Sequence, residues 1–160
     1  MRNVIKNVLF GGAGATTRFG DLGLLLLRLG VGLGIAIGHG WGKVYADGSL
    51  GPSEGFIGNV SKMGMPAPTA AAWLSALTEF LGGLLLAAGL LTRPAAIALV
   101  ANMCVAAFIA HADAPLWGPK APNKEFALLY LFAFALFIFT GAGRFSLDKI
   151  FRKSSAAARA

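Results

Sequence analysis

The chain has 160 residues, of which 56% are hydrophobic and only 13% charged, and its mean hydropathy is +0.69. About a quarter of the residues of a soluble domain are charged, so a soluble fold of this size is excluded, and the apolar content equally excludes a disordered chain. The formal charge of +7 does not make a nucleic-acid face, because the basic residues flank apolar runs as membrane orientation requires; no nucleic-acid partner is expected.

Residues 1–20 read as a cytoplasmic N-terminal segment able to lie at the interface, although glycines 11, 12 and 14 oppose a helix there. MRNVIK resembles the basic start of a signal sequence, but VLFGGAGATTRFGD is too short and broken for a cleavable apolar core. The first span is therefore expected to act as an uncleaved anchor.

Residues 21–145 form the membrane domain. Apolar runs at about 22–40, 70–91, 94–111 and 126–142 have the length needed to cross a hydrocarbon core. They are continuous rather than alternating, which selects helices over barrel strands. The expected fold is all-α: an integral membrane bundle of four transmembrane helices with a short outer interfacial helix in the first loop. That loop, 43–69, carries Phe56, Ile57, Val60 and Met63 at helical spacing before Pro66 and Pro68. Thr92-Arg93-Pro94 marks a tight hairpin between the second and third spans.

Residues 146–160 form a basic cytoplasmic tail, ending in SSAAARA without a folding signal. Four spans put both termini on one side. Nine basic residues lie there (Arg2, Lys6, Arg18, Arg93, Arg144, Lys149, Arg152, Lys153, Arg159) against Lys43, Lys62, Lys120 and Lys124 on the other. The positive-inside bias then places both termini in the cytoplasm. Trp41, Trp73 and Trp117 fall near the outer span ends, as an aromatic belt would.

Arg28 is an ionisable residue inside the first span, where a charge costs about 2.5–3.5 kcal/mol on insertion scales. It lies eleven residues before His39, about 16 Å deeper at the helical rise. Glu79 lies nine residues beyond Ala70, about 13 Å below the same boundary. The matching depths predict an Arg28–Glu79 ion pair, either a structural pin for helix register or the polar floor of a pocket. Eleven residues also return nearly to one helical angle, putting Arg28 and His39 on one stripe. Gly30, Gly34, Gly38 and Gly42 form overlapping GxxxG steps, which favour close packing within the bundle ahead of homo-oligomer formation.

A second polar layer gathers His39, Lys43, His111, Asp113 and Glu125 at span ends. Without HxxxH or HxxE spacing, no metal site is expected. The single cysteine, Cys104, excludes an intrachain disulfide or CxxC pair and reads as a packing residue. Tyr130 and the FALLYLFAFALFIF run read as core or lipid-facing bulk, with a slot for a flat ring as the alternative. The candidate catalytic residues are Glu79, His39 and His111; the candidate substrate contacts are Arg28, Glu79, Glu125, Lys43 and Trp41.

In order, LLRLGVGLGIAIGHGWGKV, GMPAPTAAAWLSALTEFLGGLLLAAGLLTRPAA, AFIAH and KEFALLYLFAFALFIFTGAGRFSLD resemble the DoxX family of small four-helix bacterial membrane proteins over about residues 22–148. Arg28, His39, Glu79, His111 and Glu125 occupy polar positions typical of that pattern. The resemblance implies a membrane subunit or accessory of a quinone-linked redox system, with quinone as the cofactor class and soluble or membrane redox proteins as partners. The chain has no dinucleotide fingerprint, haem motif or cysteine pair, so a quinone site or membrane dock is expected rather than an electron carrier. The alternative is a noncatalytic assembly protein whose intramembrane ion pair is structural.

Overall fold

The computed structural model describes residues 17–119 and 122–150. The expected surface helix at the N-terminus lies outside these residues as far as residue 16, and the tail lies outside them from residue 151. The chain is mostly helical. Its elements are α1 (Arg18–Val44), β1 (Tyr45–Ala46), β2 (Ser49–Leu50), α2 (Glu54–Lys62), α3 (Pro68–Ala88), α4 (Thr92–Ala110) and α5 (Glu125–Thr140).

α1, α3 and α4 are long and apolar enough to cross a membrane, and α5 is a shorter apolar helix of 16 residues. α1 runs from Arg18 to Val44, beyond the expected 22–40. Thr17 caps its start by accepting from Gly20 N at 3.1 Å, and Asp21 sits in its first turn. α2 forms where helical spacing predicts it. Ser53 accepts from Phe56 N at 3.2 Å, Glu54 stands in the first turn and Lys62 in the last, each complementing the helix dipole. β1 and β2 make a two-residue antiparallel ladder just before α2.

The turn between α3 and α4 lies at 89–91 rather than at Thr92-Arg93-Pro94. Gly89 ends α3 at φ +67°, and Leu90 N reaches back to Leu85 O at 2.9 Å. α4 starts at once, with its N-terminal amides capped from elsewhere in the chain: Leu91 N and Thr92 N donate to Asp148 Oδ1 and Oδ2 at 2.8 and 3.1 Å.

Ile35, Leu86, Leu99, Met103, Phe134 and Phe137 form the centre of the core. The glycines that let α1 approach α3 are not the expected ones. A Cβ on Gly32 would stand 2.7 Å from Gly83 O, and one on Gly40 would stand 2.5 Å from Phe80 N. A Cβ on Gly30, Gly38 or Gly42 would have nothing within 4 Å, while Gly34 faces the Tyr130 hydroxyl. The GxxxG stripe therefore does not make the α1–α3 contact. Gly32, Gly40 and Gly83 make it, because that is the face of α1 turned toward α3.

Each long helix contains one π turn: Ala36–Gly40 in α1, Thr78–Gly82 in α3 and Ala106–Ala110 in α4. A π turn accommodates one residue more than an α turn, so it rotates the remainder of the helix by about 100° relative to an unbroken α-helix.

Candidate functional site

Arg28 and Glu79 do not pair. Arg28 is 2% exposed and donates from its guanidinium to Ala87 O at 2.7 Å and to Phe145 O. Glu79 is 3% exposed and lies beside Gly40, near the other end of α1. Twelve residues separate Arg28 from Gly40, about 18 Å at the helical rise. The expected match of depths used His39 as the end of the first span. α1 in fact continues to Val44, which sinks Arg28 well below Glu79.

Arg28 instead belongs to a clasp that holds the segment after α5. Besides the Phe145 contact, Asp148 N donates to Gly89 O at 2.8 Å while its carboxylate caps α4. Arg144 N donates to Asp21 Oδ1 at 3.0 Å, and Arg144 Nε lies 3.2 Å from Asp21 Oδ2. Gly89 is required here twice over: its φ is left-handed, and a side chain would run into the Arg28 guanidinium and Ser146.

What answers Glu79 is Lys43. The ammonium lies 2.7 Å from both Oε1 and Oε2, and Asn102 Nδ2 donates to Oε1 at 2.9 Å. The three residues come from three different helices, each at or near its π turn. Glu79 lies inside the α3 π turn, Lys43 three residues beyond the one in α1, and Asn102 four residues before the one in α4. π turns recur at functional sites because they re-aim side chains without ending the helix.

The trio stands on the wall of a cavity of about 360 Å³. Its apolar lining includes Val60, Met63, Met65, Leu74 and Val105, and His111, Ser75 and Asn59 add polar groups. α2 supplies Phe56, whose ring lies 5.1 Å from Lys43 Nζ, a cation–π contact that ties this helix to the ion pair. The site is thus a mainly apolar chamber with one ion pair, whose carboxylate is buried, and two amides. It can hold a compact ring or chain and offer hydrogen bonds to a polar edge.

Of the sequence candidates, the cavity brings together Glu79, Lys43 and His111. His39 is exposed on another face, its ring 5.1 Å from that of Phe126 and 6.2 Å from that of Tyr130. The α1 π turn breaks the stripe it was expected to share with buried Arg28. Trp41 is 51% exposed and stacks on Tyr45 at 5.8 Å. Glu125 starts α5, where its amide donates to Asn123 Oδ1. None of these lines the cavity. Among the described residues no group of three or more metal-ligating His, Cys, Asp or Glu side chains occurs. Cys104 is a free, half-buried thiol. Sequence reasoning missed Asn102. The available signal was a lone amide in the apolar run IALVANMCVAAF, since such a group inside a span seeks a polar partner on another helix.

A family model described as DoxX matches residues 23–112, which hold α1 from its sixth residue onward, α2, α3, α4 and every residue of the cavity. An uncharacterized membrane protein of Mycobacterium tuberculosis is 31% identical over 149 residues, covering 86% of each chain. An uncharacterized protein of Haemophilus influenzae is 41% identical over 83 residues; the match spans 50% of this chain and 62% of that protein's length. No solved structure matches.

Proposed function

The chain belongs to the DoxX family, and from that premise we propose that it is a membrane subunit or accessory of a quinone-linked redox system, with the Lys43–Glu79–Asn102 cavity as the seat of the quinone ring. The observation that carries this reading is a carboxylate 3% exposed, held by an ammonium and an amide on the wall of an otherwise apolar chamber. Ionisable groups in apolar helices mark sites and pathways. A flat ring fits among Phe56, Val60 and Leu74, and the thioethers of Met63 and Met65 adapt to its outline. Lys43 supplies an N–H to a ring oxygen, and Glu79 and His111 are the groups that exchange protons with it.

In the same proposal α1, α3, α4 and α5 all span the inner membrane, both termini are cytoplasmic, and α2 lies at the outer surface as the roof of the cavity. The nine-to-four distribution of basic residues supports this orientation. Arg28 then sits at the cytoplasmic end as a structural group. The test is Glu79→Gln in native membranes. Quinone reduction by the redox system should fall while the folded protein remains abundant, and undiminished reduction would refute the proposal.

One observation favours a second reading, a noncatalytic assembly protein. Glu79 already receives three hydrogen bonds, as a purely structural pair would. In that case exchanging Lys43 and Glu79 with each other restores all function, because only their mutual attraction matters.

A further inference from the structure

We infer that the cavity reads the redox state of the ring it binds, favouring the hydroxyl-bearing reduced form over the carbonyl form, and that Asn102 makes the distinction. The inference rests on the quinone reading above and takes it one step further.

Its basis is the orientation of one amide. Asn102 meets Glu79 Oε1 at 2.9 Å. A carboxylate paired with an ammonium has only acceptor sites, so the atom facing it is the amide nitrogen. The other end of the amide is then fixed as the carbonyl. Among the described residues nothing donates to Asn102 Oδ1, and it is not one of the sealed-off buried atoms. Asn102 lines the cavity. In the inference the carbonyl of this lining residue is the bare acceptor that meets the ligand, and Glu79 prevents the amide from flipping.

Beside it stands a donor. Lys43 has three N–H groups, and the two Glu79 oxygens engage at most two of them. A hydroquinone oxygen satisfies both neighbours at once. It donates its O–H to Asn102 Oδ1 and accepts from Lys43 with a lone pair. A quinone carbonyl in the same place accepts from Lys43 but turns a lone pair against Oδ1. Asn59, Ser75 and His111, the remaining polar lining groups, can each donate or accept, so they do not reverse the preference. An acceptor left unpaired away from water corresponds to a preference of about tenfold or more.

The experiment titrates the purified full chain in detergent, without oxygen, with a decyl-substituted benzoquinone and separately with its hydroquinone. The hydroquinone should bind about tenfold tighter or more. Asn102→Leu removes the acceptor and should bring the two affinities together. Asn102→Ser, whose hydroxyl both donates and accepts, should do the same and serves if the leucine variant does not fold. Equal affinities in the wild type, tighter binding of the quinone, or a preference that survives in the folded variants overturns the inference while leaving the quinone site standing. Failure of both probes to bind overturns the quinone reading itself and this inference with it.

Discussion

Lys43 and Glu79, 36 residues apart in sequence, meet with the ammonium 2.7 Å from each carboxylate oxygen. At this level the two helices that carry them meet backbone to backbone, since Gly40 lies against the backbone of Glu79 and Phe80. Close packing and an ion pair with a buried carboxylate thus occupy one level of the bundle. The pair is asymmetric: Glu79 is almost fully buried, whereas the Lys43 side chain is 29% exposed.

That asymmetry sets the outcome of removing one partner. Lys43→Met strands a buried carboxylate with only Asn102 to answer it. The expected loss is about 2 kcal/mol, below the ~3–5 kcal/mol of a fully buried pair because Lys43 is partly solvated. Lys43→Met combined with Glu79→Met should recover most of it, since apolar isosteres often replace such pairs without loss. Denaturation in mixed detergent checks both numbers.

Arg28 and Glu79 should be energetically independent. Arg28→Gln removes the contacts to Ala87 O and Phe145 O and should cost about 2 kcal/mol, the range for hydrogen bonds to a charged group. In a double-mutant cycle with Glu79→Gln the coupling should stay below about 0.5 kcal/mol, as for distant sites. Limited proteolysis should show Arg28→Gln loosening residues 141–150, while Glu79→Gln leaves them as protected as in the wild type.

Two near-neighbour glycines of α1 should behave in opposite ways. Gly40→Ala drives a methyl into the backbone at Phe80, 2.5 Å from its nitrogen, whereas Gly38→Ala meets nothing within 4 Å. The first should cost about 1–3 kcal/mol, the usual range for overpacking. The second should be neutral or slightly stabilising, because alanine is the better helix former. Thermal melts of the two variants decide.

The π turn of α1 should be as important as the residues it aims. Deleting Gly38, where an added Cβ would meet nothing within 4 Å, would turn Ala36–Gly40 into regular α-helix and rotate Lys43 by about 100°. Ligand binding should then be lost although every cavity residue remains in the chain. Inserting one alanine after Ala36 in the deletion variant restores the count and should restore binding.

Much of the fold was legible from the sequence. Apolar length found α1, α3, α4 and α5, and the spacing of Phe56, Val60 and Met63 found α2. The polar residues of the site were legible as types: Glu79 stood out because a charged group in an apolar run is costly, and Lys43 and His111 because they gather at span ends. Their partnerships were not. Ruling out the Arg28–Glu79 pair required knowing where α1 ends, and Val44 carries no stop signal stronger than the glycines at 38, 40 and 42. Phase was lost for a related reason. Counting at 3.6 residues per turn cannot see a π turn, so His39 was placed with Arg28, and Lys43 was not aimed at Glu79. The clasp formed by Asp21, Arg28, Arg144 and Asp148 joins segments more than a hundred residues apart at its widest, beyond the reach of any local pattern.

The central claim is that the Lys43–Glu79–Asn102 cavity holds a quinone. It is tested most directly by purifying the full chain from native membranes in mild detergent and weighing what stays bound by native mass spectrometry. The expected result is a quinone, in its oxidised or reduced form, retained by the wild type and absent from the folded Lys43→Met/Glu79→Met variant. Folded wild-type protein without quinone, or equal retention by the variant, would contradict it.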